Sequence, residues 1–165
     1  LEPFHVTTPW THAFEGKKVL VIHPFMKSIQ HQIEKSRSYF KNSLFKPKMD
    51  LILYKPVQSL GTKQKLDGSW KASLDRMISE IKLIDFDVSL IAAGAYGLPL
   101  AVEIKKMGKV GINVGGALQL FFGVMGNRWQ FDSDLNKVIL KENWIRPLKE
   151  DIVDDFTSIE GGCYW

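Results

Sequence analysis

The residues best suited to chemistry sit in three turns: His23 after one apolar run, Gly94-Ala95-Tyr96-Gly97 after another, and Gly115-Gly116 after a third. A glycine turn between a strand and a helix brings bare backbone N–H groups to the helix N-terminus, where proteins bind phosphate. Gly94, Gly97, Gly115 and Gly116 are therefore expected phosphate contacts, while Tyr96 either stacks on a base or covers the end of the sheet. The competing reading is that these glycines only permit tight turns. His23 is the expected catalytic residue, as a donor to phosphate or a general base, against a structural histidine whose ring bonds a nearby carbonyl. Lys27, one turn later, and Arg128 in Gly126-Asn127-Arg128-Trp129 are the cations expected to neutralise a diphosphate. Against them stand a solvated lysine and an arginine paired with the acidic C-terminal half.

Other chemistries fit less well. The turn at Gly94 lacks G-x-G-x-x-G, and the next apolar run ends in Asn113 where a nicotinamide dehydrogenase would place an acid for the ribose. Asp85-Phe86-Asp87 spells the D-x-D of metal-dependent sugar transfer. It precedes its strand, though, which puts it at the sheet edge opposite the crevice. No His, Cys, Asp or Glu spacing suits a metal, so no metal ligand is expected, and no serine or cysteine sits in a nucleophile elbow.

Positioning these turns takes an alternating series of elements. Strands are expected near 17–22, 50–54, 87–93 and 109–114, each a short apolar run bounded by turn signals. Ile29, Ile33 and Phe40 keep rough helical spacing after the first strand. Trp70, Leu74, Met77, Ile78, Ile81 and Ile84 form the clearest amphipathic stripe, capped by Asp67 or Ser69. The third helix is expected to begin with Pro99 near its first position and stop at Gly108. Residues 115–123 are apolar all round and read as a short buried helix. A further helix over 135–141, with Ser133 or Asp134 near its cap, leads to an ordered tail from Trp144 to Trp165.

Such alternation specifies an α/β fold: a Rossmann-like three-layer sandwich with a mainly parallel sheet of about four strands in the order 2-1-3-4. The crevice then opens between the loops after strands one and three. At 165 residues the expectation is a single domain over 1–165, or the C-terminal part of something longer, since no methionine starts the chain. The single cysteine, Cys163, leaves no intrachain disulfide, and no apolar run approaches a membrane span, so the expected location is cytoplasmic. Fourteen Lys/Arg against seven Asp/Glu occupy residues 1–84, and eight against eleven the remainder. That asymmetry suits a solvated face, an anionic ligand or a membrane surface. No aromatic interleaving points to nucleic acid.

Lys17 to Phe25, Ala93 to Ala101, Gly115 to Gly123, Gly126-Asn127-Arg128-Trp129 and the terminal Glu160-Gly161-Gly162-Cys163-Tyr164-Trp165 resemble a group of largely uncharacterised bacterial and viral proteins related to glycosyltransferases of the GT-D fold. The resemblance implies transfer of a sugar from a nucleotide-sugar donor to a glycan acceptor in surface polysaccharide or glycoprotein glycan biosynthesis. It also implies an acidic D-x-E motif near the N-terminus holding the donor or its metal, which has no counterpart here. No cofactor is therefore expected within this chain, and a divalent metal only in a longer form. Two other readings stay open: a non-catalytic nucleotide- or glycan-binding module, and an unrelated small-molecule enzyme on the same fold.

Overall fold

The computed structural model describes residues 2–35, 38–45, 48–60 and 67–165. Its centre is a four-stranded, wholly parallel sheet in the order β2-β1-β3-β4, formed by β1 (Lys18–Ile22), β2 (Asp50–Tyr54), β3 (Val88–Ile91) and β4 (Val110–Asn113). The register sets Val21 of β1 beside Leu53 on one side and Leu90 on the other. β1 and β3 are covered on both faces, so every residue of the two strands except Lys18 is buried, with Ser89 as the one polar residue inside.

Strand alternation divides the apolar residues between two cores. Val19, Val21, Val88 and Leu90 face one way and pack with Phe25, Ile29, Phe121, Phe122 and Trp165. Leu20, Ile22 and Ile91 face the other way and pack with Met77, Ile81, Leu100 and Ile104. The first core belongs to α1 (Met26–Lys35), the 3₁₀ segment Gly115–Phe122 and the tail; the second belongs to α2 (Trp70–Ile81) and α3 (Gly97–Lys106). Three layers result, with the helices that follow β1 and β3 on opposite faces. Burial of each large aliphatic side chain contributes about 1.5–3 kcal/mol.

Local signals account for most boundaries. Ser69 caps α2, its Oγ accepting from the Ala72 N–H at 3.1 Å. Gly108 lies just past α3 in the left-handed conformation that ends a helix. Residues 115–122 are helical and largely buried, with 3₁₀ rather than α geometry. Trp165, the end of the ordered tail, is buried against Phe25 with ring centroids 5.2 Å apart.

Four expectations are corrected. Phe40 is not on α1, which ends at Lys35; it forms an antiparallel bridge with Ile139 and stacks on Phe4, so its periodicity with Ile29 and Ile33 was coincidental. Pro99 is the third residue of α3, because the helix starts at Gly97. α4 spans Ser133–Val138 instead of 135–141, and its cap is Asp132, whose Oδ1 accepts from the N–H groups of Asp134 and Leu135. β3 stops at Ile91, leaving Ala92 and Ala93 to start the turn.

Candidate functional site

A cleft of about 530 Å³ opens at the C-terminal ends of β1 and β3, where their helices depart to opposite faces. Its walls come from the His23 loop, residues 56–60 after β2, the turn at Ala92–Tyr96, the turn at Gly115 and the tail residues Ile159, Glu160, Tyr164 and Trp165. A larger hollow of about 790 Å³ lies between α2 and α3 and shares no lining residue with the cleft.

The glycines fall into two pairs. Gly94 has φ +51° and Gly115 has φ +72°, and a β-carbon on either would meet no atom within 4 Å. These two turns need glycine for their backbone and leave open space beside it. Gly97 and Gly116 instead serve packing. A β-carbon on Gly97 would lie 2.6 Å from Asn113 Oδ1, and one on Gly116 would lie 2.1 Å from the Tyr164 ring. Gly116 still lines the cleft, whereas Gly97 is buried at the start of α3 outside its lining.

His23 lines the cleft and is buried. Its Nδ1 accepts the backbone N–H of Phe25 at 2.8 Å, which places the ring proton on Nε2. Burial lowers its pKa to about 3. The imidazole is thus neutral and offers an N–H. That arrangement suits a hydrogen-bond donor to a bound anion, and it leaves no lone pair facing outward for a general base. The partner of the ring is a backbone N–H, where the sequence suggested a carbonyl.

Tyr96 also lines the cleft, but its ring is stacked on Trp70 at 5.2 Å and buried. One face of the ring is therefore taken up by Trp70, so a base could stack only on the other. Its hydroxyl has no partner among the described residues.

The two cations lie off the lining. Lys27 is exposed on α1, and the N-terminus of that helix already holds an anion from this chain: the buried Asp151 carboxylate accepts from the Ser28 N–H at 2.7 Å, the Ser28 hydroxyl at 2.6 Å and the Lys27 N–H at 3.3 Å. The backbone donors that open α1 are thus already engaged by this carboxylate. Arg128 stands behind the tail wall, bonded to Glu160 and to the Tyr164 hydroxyl, with its guanidinium 4.9 Å from the Tyr164 ring centroid. Arg128 thus pairs with an acid of the C-terminal half instead of facing the cleft.

Glu160 is the site residue that sequence reasoning passed over. The visible signal was an acid directly before Gly161-Gly162, a turn that swings it across the sheet end. Its carboxylate also accepts from Tyr164 at 3.0 Å, and the Tyr164 and Arg128 hydrogen bonds hold it below the usual carboxylate range. Buried Gln119 ties this wall down, donating to the Tyr164 carbonyl at 3.0 Å and the Val124 carbonyl at 3.2 Å.

A family model described as a GT-D fold-like domain matches residues 5–121, which include the whole sheet and both open glycine turns. The chain belongs to that family. No curated protein and no solved structure matches it. The GT-D-like region ends inside the 3₁₀ segment, so Arg128, Asp151, Glu160 and Tyr164 all lie outside the matched residues.

Among the described residues no three His, Cys, Asp or Glu converge, and the cleft's one carboxylate is engaged by Arg128 and Tyr164. These residues do not make a metal site. The aspartates of Asp85-Phe86-Asp87 are structural: Asp85 pairs with Lys18 Nζ, and Asp87 Oδ2 accepts the Lys18 backbone N–H at 2.8 Å at the opposite sheet edge. Among the described residues no helix is long and apolar enough to cross a membrane.

Proposed function

We propose that this domain binds a nucleotide sugar in the cleft and supports glycosyl transfer to a glycan acceptor, in surface polysaccharide or glycan biosynthesis. The observation that carries this reading is the pair of open glycine turns, Gly94 and Gly115, each starting a helical segment at the ligand edge of a parallel sheet. The diphosphate would lie against their backbone N–H groups, with the His23 Nε2–H as a further donor. Such donors strengthen their hold as charge develops on a leaving nucleoside diphosphate, which is how a site of this kind would favour transfer. The fold family supports the same reading, and nucleotide-sugar chemistry suits a cytoplasmic location. The unit proposed is one Rossmann-like domain over 1–165, acting alone or within a longer glycosyltransferase.

A second reading, a nucleotide- or glycan-binding module without catalysis, is favoured by the protonation states. The Nδ1 lone pair of His23 is occupied by the Phe25 N–H, and the Tyr164 and Arg128 hydrogen bonds lower the basicity of Glu160, so neither is tuned as a base for an acceptor hydroxyl. Calorimetry with a panel of nucleoside diphosphates and nucleotide sugars tests binding, and release of nucleoside diphosphate with and without divalent ion tests turnover. Binding with turnover supports transfer; binding alone supports the module; failure to bind any member refutes both.

A further inference from the structure

Phosphate binding at the glycine turns leaves the carboxylate of Glu160 without a part, yet it is the one charged side chain among the described cleft-lining residues. We infer that Glu160 reads a sugar hydroxyl of the cleft's ligand, accepting its O–H on the carboxylate and so selecting for the hydroxyl-bearing part of a nucleotide sugar. The inference rests on the nucleotide-sugar reading and adds a specificity residue to it.

The geometry carries the assignment. Glu160 has φ +47°, one of two non-glycine residues among those described with a left-handed backbone, a conformation that a β-carbon disfavours. That turn holds the side chain on the cleft wall. Tyr164, which grips it, is seated against Gly116 so closely that a β-carbon there would overlap the ring. Arg128 grips the other oxygen, with the Cys163 thiol at 3.9 Å. A carboxylate has about four lone-pair directions. Three partners leave one, and the side chain lines the cleft and remains 55% exposed, so an acceptor position stays accessible. The Tyr164 and Arg128 hydrogen bonds keep the group ionised, hence a pure acceptor. An anion repels phosphate and attracts O–H donors. The two walls therefore sort the ligand: N–H groups at Gly94 and Gly115 for the diphosphate, Glu160 for a hydroxyl. That hydroxyl belongs either to the ribose of the nucleotide or to the sugar it carries.

Calorimetry on the wild type, Glu160→Gln and Glu160→Gly distinguishes these. Glycine removes the carboxylate while relieving the left-handed backbone, so one variant keeps the side-chain volume and the other the turn; circular dichroism confirms that both fold. The probes are UDP, GDP and ADP, their 2′-deoxy forms, UDP-glucose, GDP-mannose, and inorganic pyrophosphate, which has no hydroxyl on carbon. Both variants should bind the hydroxyl-bearing probes about 10- to 100-fold more weakly, with pyrophosphate unchanged within about twofold. A loss shared by the nucleoside diphosphates supports the inference with ribose as the source, whether it abolishes the preference for ribose over 2′-deoxyribose or, through the retained 3′-hydroxyl, falls equally on both forms. Loss confined to UDP-glucose or GDP-mannose supports it with the carried sugar as the source. Unchanged affinities, or an equal loss for pyrophosphate, overturn the inference while leaving the nucleotide-sugar reading intact. A wild type that binds none of the probes overturns both.

Discussion

Protonation of His23 should couple stability to pH in a way that one substitution removes. Burial lowers the His23 pKa from an unfolded value near 6.5 to about 3. Between those values the unfolded chain carries one more proton than the folded chain, so stability falls as pH falls. The contribution is fully present above about pH 7, and the loss levels off below about pH 3, where both states are protonated. From pH 7 to pH 5 the linkage amounts to about 2 kcal/mol, or roughly 4–8 °C in Tm for a domain of this size. Acidic groups add their own pH dependence, so the informative quantity is the difference between the wild type and His23→Asn. The asparagine Oδ1 can take the Phe25 N–H that Nδ1 accepts, and it cannot be protonated in this range. Its smaller volume lowers stability at every pH without adding a slope. Urea unfolding at pH 7, 6 and 5 should show the wild type losing about 2 kcal/mol more than His23→Asn over that span. Parallel curves would refute the neutral, Nε2-protonated histidine, and with it the donor role assigned to it.

Three further outcomes follow from the packing. Gly97→Ala should destabilise the fold by about 1–3 kcal/mol through the clash with Asn113 Oδ1, and Asn113→Ala in the same chain should restore much of it, as measured by urea unfolding. Asp151→Ala strips the N-terminus of α1 of its internal anion and should cost about 2–4 kcal/mol, because the buried Ser28 N–H and hydroxyl lose their acceptor; a change under about 0.5 kcal/mol would show the cap to be dispensable. Gly94→Val should abolish diphosphate binding in calorimetry and also lower stability, because φ +51° strains a β-branched residue even though its β-carbon meets no atom within 4 Å; unchanged affinity in a variant that circular dichroism shows to be folded would remove this turn from the site.

Much of the framework is written locally. Apolar runs bounded by proline, glycine or lysine mark all four strands, the Ser69 cap and the Gly108 stop bracket two helices, and the alternation of elements implies the strand order 2-1-3-4. Position at the sheet edge also made His23, Gly94, Tyr96, Gly115 and Gly116 legible as neighbours, because a parallel sheet brings all its strand ends to one side. Phe40 shows the limit of such reading: three residues at near-helical spacing are compatible with a helix, but a bridge to Ile139 decided the matter.

What the chain folded against itself decided is which of those residues are free to act. Glycine is glycine in sequence, yet Gly97 and Gly116 are filled by Asn113 and Tyr164 while Gly94 and Gly115 stay open, a distinction that depends on side chains arriving from elsewhere. The N-terminus of α1 is filled by Asp151, which lies 123 positions beyond Ser28 in the chain and which no local pattern places there. Burial, which no short window of sequence specifies, sets the charge of His23. Backbone hydrogen bonding and apolar periodicity act over a few residues and can be read in order; desolvation and long-range side-chain contact act through space and exist only once the layers close.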